Sequence, residues 1–436
     1  MPRVAPRSDP IQSATCPYLP TGSIAGAPLR PEGCPVRLLA AALWLAAGAA
    51  WPGAPHVPAS DEAVLAQVSP RAAAGPAALR RLRVALDAAP ADASLAAAYA
   101  RRALALGRAQ SDPRYFGYAE AALAPWWPQA APPAPIRYLR ALLRQRRHDF
   151  AGALADLDAL LALNPRDAEA RLARAVIHQV QGRPQSAQAD CAALVGDASL
   201  LTATTCLAAS GGIGGKAAQR YPALVAMLAT PAGLDAPSEE RRWAMTVAAE
   251  LAVRLQRPDE AEAWFAQAWA LAEREAVDDV YLQAAWADFR LARGDAAAVA
   301  ARLAGRTADA SLLRLAIAEK RLAEAGEADY TPRWKTHADQ LAGRFARARA
   351  RGETAHGREE AMFALQLRGD AAAALGHARR NWESQREPAD ARVLLEAALA
   401  IGDTGTVAAV RGWLQQTGLE DSALRHRAGL SPVRAP

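Results

Sequence analysis

The sequence predicts an all-α fold: about eight or nine helix pairs stacked into a right-handed superhelical solenoid. Three observations carry that expectation. Alanine, leucine and arginine dominate a chain that is 52% hydrophobic but only 6% aromatic, and these residues favour helix at nearly every position. A 34-residue self-similarity runs through part of the chain. Gly-Asp pairs recur where one helix has to end and the next begin.

The composition bounds the rest. At 436 residues the chain can bury a large core, and at this size one compact body gives way to an extended or divided one. Runs of β-branched residues with period-2 alternation are nearly absent, so strands have little support. The formal charge is only +6, and Lys216, Lys320 and Lys335 are the only lysines, so arginine supplies nearly all the positive charge. Acidic residues are interleaved with those arginines, and no basic block carries interleaved aromatics, which argues against nucleic acid as a partner.

The period fixes the elements. Laying 134–167 over 168–201 matches Tyr138 with Leu172, Ala141 with Ala175 and Leu142 with Val176. It also matches Ala153 with Ala187, Leu157 with Cys191 and Leu160 with Leu194. His148-Asp149 and Gly182-Arg183 fall at the same place within each unit, where a tight turn is needed. Residues 76–124 read as a divergent opening pair with a longer turn at Ser111-Asp112-Pro113, and 200–230 as a pair around the glycine-rich turn 211–215. Gly294-Asp295, Gly369-Asp370 and Gly402-Asp403 mark later turns. Proline-rich stretches at Pro125–Pro135 and Pro231–Pro237 interrupt the array, giving a first part over 76–230, a second over 239–425 and a tail over 426–436.

Ala153, Leu157, Leu160 and Pro165, and again Ala261, Phe265 and Ala268 after Pro258-Asp259-Glu260, carry a small–large–small pattern along a second helix. Small side chains let two helices approach while the larger one fills the hole between them. In this pattern the chain resembles the tetratricopeptide family. Tyr138, Ala141 and Leu142 fit that family's first-helix positions only after a shift of one residue, so the repeats are degenerate. Arg358-Glu359-Glu360 and the stretch from Asn381-Trp382-Glu383 through Pro388 to Arg392 resemble a group of bacterial exported tetratricopeptide proteins of uncharacterised function. That resemblance implies the fold and export, and brings no catalytic residue with it.

The N-terminus reads as a targeting segment. Residues 1–35 lack helical periodicity; Arg37 then precedes the apolar run Leu38–Trp51, with small residues at Ala47 and Ala49. The run is too short for a bilayer span and suits a signal peptide cleaved near residue 50. A start at Val36 would make it an ordinary one. Residues 1–55 are therefore read as extension and signal peptide and 56–75 as linker, and the mature chain as periplasmic or secreted, without a stable membrane span. Cys16 and Cys34 precede the cleavage, which leaves Cys191 and Cys206 as a candidate disulfide.

No G-x-S-x-G, H-E-x-x-H or C-x-x-C motif occurs, and the seven histidines are scattered. Ser210–Ala217 superficially resembles a phosphate loop but lacks the leading glycine, the hydroxyl residue after Lys216 and a preceding strand. No catalytic residue, cofactor or metal ligand is assigned, and the chain is not read as an enzyme. Trp286, Tyr281, Trp264 and Trp269 read as core between repeats. The candidate binding determinant is an arginine stripe: Arg137, Arg140, Arg144 and Arg147 at helical spacing, with Arg171 and Arg174 repeating the first two one unit on. It reads either as a cationic surface for a partner's carboxylates or as a solvated face balanced by nearby acids. The expected function is an exported scaffold that holds a protein or peptide in its concave groove; the alternative is a metal- or glycan-binding accessory of an envelope enzyme or transporter.

Overall fold

The structure is a computed structural model, and it describes residues 60, 70–110, 112–350 and 357–431. The signal-peptide reading and most of the 56–75 linker lie outside the described residues.

The described chain is helical throughout. In order it forms α1 (Pro70–Ala88), α2 (Ala93–Ala109), α3 (Arg114–Leu123), α4 (Ala134–Arg146), α5 (Phe150–Leu163), α6 (Ala168–Val180) and α7 (Pro184–Ala192). There follow α8 (Leu200–Ile213), α9 (Ala217–Leu228), the short α10 (Pro231–Leu234), α11 (Ser238–Arg254), α12 (Pro258–Glu275), α13 (Val280–Ala292) and α14 (Ala296–Leu303). The last are α15 (Asp309–Glu324), α16 (Tyr330–Ala350), α17 (Gly357–Met362), α18 (Ala371–Ser384), α19 (Pro388–Ile401), α20 (Thr404–Thr417) and α21 (Ser422–Arg427). Among the described residues no strand forms, only one isolated bridge between Val195 and Ala198.

These helices pack as a tetratricopeptide-like solenoid. α2–α3, α4–α5, α6–α7, α8–α9, α11–α12, α13–α14, α15–α16, α17–α18 and α19–α20 form hairpin units. The first helix of each unit also packs on the first helix of the next, from α2 on α4 through to α17 on α19. A stack of this kind buries a continuous core between neighbours. That core comprises three large clusters, and a small one (Leu172, Ala175, Cys191, Leu194, Ala203 and Cys206) sits between the first two.

The turns follow their residues. Gly182, Gly294, Gly369 and Gly402 end their helices at φ +68° to +79°, a conformation that costs a side chain. Asp149, Asp295, Asp370 and Asp403 each accept the third backbone N–H of the helix that they precede, one of the donors left free at its start. Two expectations are corrected. Residues 76–124 hold parts of three helices, because the chain breaks a second time at Ala89–Asp92. The glycine-rich turn starts only at Gly214: Gly211 and Gly212 lie within α8, where a Cβ on Gly212 would stand 2.4 Å from Leu251 Cδ2. Gly212 lets α8 and α11 approach closely, and Gly211 makes room for Arg220 of α9.

The solenoid also folds back on itself. The Asp278 amide donates to Ala109 O at 3.3 Å, the Arg386 amide to Val180 O at 2.7 Å, and the Ala218 amide to the Glu420 carboxylate at 2.7 Å. In each case the turn between the two helices of an early unit meets a loop that leaves a later unit. The partners stand four to five units apart along the stack.

Candidate functional site

The arginine stripe is built into the units. Arg140 on α4 is 3% exposed, and its Nε and Nη2 donate to the two oxygens of Asp156 on α5 at 2.9 and 2.6 Å. Its Nη1 donates to the carbonyls of Trp126, Trp127 and Gln129. Arg144 reaches the same Asp156 at 2.8 Å and Gly152 O at 3.1 Å. One unit later Arg174 makes the same bidentate pair with Asp190, at 2.9 and 2.6 Å, and also reaches Asp158. Asp190 comes first among the groups that raise the Arg174 pKa, against the opposing effect of burial. Arg171 approaches Asp190 at 3.5 Å and donates to Pro165 O, while Arg147 pairs with Glu120.

Of the two readings of the stripe, these contacts match the face balanced by nearby acids, although Arg140 is buried rather than solvated. Planar guanidinium forks match the carboxylates of the second helix, so Arg140, Arg144 and Arg174 tie the two helices of their units together, while Arg147 reaches Glu120 on α3 of the preceding unit. Asp156 and Asp190 were missed in the sequence, although they lie 34 residues apart like the arginines they bind. Arg137 differs from the others: it is 8% exposed, donates to Ala130 O at 3.1 Å, and is in no ion pair among the described residues.

Cys191 and Cys206 are bonded, with Cα atoms 5.3 Å apart. The bond joins α7 to α8 inside the small core cluster between the two larger ones. Of the four aromatic residues read as core, Trp269 and Trp286 are buried and meet edge to face at 5.5 Å. Trp264 is half-buried and donates to Tyr221 Oη. Tyr281 is corrected: it is 40% exposed and donates to Glu250 at 2.6 Å.

A second polar region lies where the first helices of distant units face a common interior. Glu239 at the start of α11 lies within the field of Arg108 on α2, and burial pushes its carboxyl up to about 7 against the pull of Arg242 and Arg108. Arg101 on α2 reaches Glu169 on α6 at 3.0 Å across the ring of Tyr138, whose hydroxyl pKa is raised by burial. Arg358 on α17 donates to Asp390 and Glu387, each at 2.6 Å, and Asn381 donates to Asp390 at 2.8 Å. Burial raises the Glu387 carboxyl despite Arg358, with Glu250 of α11 adding to the rise. Burial likewise raises Glu396 on α19, which feels Arg427, Arg392, Asp288 and Arg321. The Arg358 cluster contains residues from the C-terminal stretch singled out in the sequence, though their mutual contacts were not foreseen. Among the described residues no group of His, Cys, Asp and Glu is arranged to hold a metal ion, and no helix is long and apolar enough to cross a membrane.

No family model matches the chain, and no curated protein does. Solved structures do resemble it. A tetratricopeptide repeat protein from Parabacteroides merdae aligns at 17% identity over 62% of this chain and 91% of that one, with a TM-score of 0.37. The human IFIT1 dimer with m7Gppp-AAAA aligns at 13% identity over 81% of this chain and 86% of that one, also at 0.37. The P58(IPK) TPR domain aligns at 12% identity over 76% of this chain and 96% of that one, at 0.22. At these scores the likeness adds nothing to the helix pairing, which itself establishes the solenoid.

Proposed function

We propose that the protein is an exported, non-catalytic scaffold that holds a protein or peptide partner along the interior lined by its first helices. One observation carries the reading: polar groups on first helices far apart in sequence lie within electrostatic reach of one another there, Glu239 of Arg108 and Glu387 of Glu250. An extended chain laid in such an interior meets charged groups of both signs from several units. The export reading is supported by the Leu38–Trp51 segment and by the Cys191–Cys206 bond, since disulfides persist in oxidising compartments.

Two measurements test this. Glu250→Ala combined with Tyr281→Phe is expected to weaken capture of partners from envelope extracts at least tenfold while leaving the helical circular-dichroism signal unchanged. Unaltered capture removes the interior from the account, and selective retention of a metal ion or glycan instead of protein favours the accessory reading. N-terminal sequencing of periplasmic protein is expected to begin near Ala50, whereas full-length protein confined to the cytosol contradicts export.

A further inference from the structure

Between the Trp127–Ala130 connection and the α4–α5 hairpin lies an open cleft of about 510 Å³, lined by Trp127, Gln129, Arg137, Arg140, Arg144 and Asp156 among others. Its charges do not balance. Asp156 is taken by Arg140 and Arg144, and Arg144 also pairs with Asp149 at 3.5 Å. Arg137 is left with the neutral carbonyl of Ala130, and its Nε is buried without any hydrogen-bond partner. A buried guanidinium normally finds a carboxylate or a full set of acceptors, because an uncompensated buried charge is costly. The equivalent Arg171, one unit on, does meet its acid, Asp190. The Trp127 ring walls the cleft and sits beneath the Arg144 guanidinium, with Cζ 5.8 Å from the ring centroid.

We infer that this cleft is a binding site for a small oxyanion group, with Arg137 as its principal donor and Arg144 beside it. Guanidinium N–H groups suit the oxygens of such a group, and the uncompensated charge of Arg137 calls for an anion. The site does not depend on the interior reading above; either can fail without the other.

The test uses the full chain at constant ionic strength, titrated separately with inorganic phosphate and with succinate to distinguish a tetrahedral oxyanion from a carboxylate. A ligand that binds only the folded state raises the melting temperature as its concentration passes the dissociation constant. A saturable rise is expected with at least one probe, and Arg137→Gln is expected to weaken that binding at least tenfold. Ala155→Glu places a carboxylate in the cleft from α5. This variant is expected to melt higher than the parent without any added anion and to lose the response to the probe. No saturable rise with either probe, or an equal rise in Arg137→Gln, overturns the inference. Should Arg137→Gln fail to fold, Ala155→Glu still decides: an undiminished response to the probe rejects the site.

Discussion

The α4–α5 and α6–α7 units share one plan and differ in what surrounds it. In both, an arginine of the first helix forks onto an aspartate of the second sixteen residues later: Arg140 on Asp156, Arg174 on Asp190. Around Arg140 the Pro125–Pro135 connection closes over the pair and adds three carbonyls, leaving side-chain exposures of 4% and 6%. Around Arg174 no such connection exists; its side chain stays 23% exposed, and a disulfide fastens its unit to the next. The repeat thus fixes where a residue stands, while the non-repeating connections decide whether it is interior framework, surface, or, at Arg137, a charge without an acid.

The largest expected effect follows from that contrast. Arg140→Ala leaves Asp156 buried with Arg144 as its remaining cation, and is expected to cost about 3–5 kcal/mol in chemical unfolding. Arg174→Ala leaves Asp190 near Arg171 and His178, and is expected to cost about 1–3 kcal/mol. Equal losses at the two positions would remove the role assigned to the Pro125–Pro135 connection.

Next in size is the staple. Cys191 and Cys206 are 15 residues apart, and the Cys191→Ser/Cys206→Ser double variant is expected to lose about 3 kcal/mol on the loop-entropy model. Because the bond lies in the small cluster between two larger ones, amide exchange should rise first in α7 and α8. A loss spread evenly over the whole chain would argue that the joint is no weaker than its neighbours.

How far the sequence reached follows the same division. Helix, pairing and turns were legible because Ala153, Leu157 and Leu160 and their counterparts repeat, and because Gly294, Gly369 and Gly402 end helices in a way few other residues do. The break at Ala89–Asp92 lacks a Gly-Asp pair and went unseen. His148 and Gln256 adopt positive φ without being glycine, so the second of those turns was legible only from Pro258. The stripe was found, but its particular acids were not: helical spacing shows which side chains share a face and says nothing of the acids on the partner helix. The folding back at Ala109, Val180 and Ala218 joins residues far apart in sequence, and no local pattern announces it.

The smallest effect is one of pH. Glu239 has its carboxyl raised from the ordinary value to about 7 by burial, so the folded state binds its proton more tightly than the unfolded chain does. That contribution is fully present below about pH 4.5 and is lost as pH rises through about 7. Glu239→Gln is therefore expected to gain stability relative to the parent between pH 5 and pH 8, read from paired melting curves. A constant difference across that range would place Glu239 in open water.

The central claim is that Arg140 and Arg174 are framework, tied to acids within their own units. A double-mutant cycle on Arg140→Ala and Asp156→Ala, followed by chemical unfolding, tests it most directly because it isolates the pairwise term. The account predicts a coupling of about 2–3 kcal/mol. A coupling below about 0.5 kcal/mol, the range of exposed pairs, would contradict it and return Arg140 to the surface.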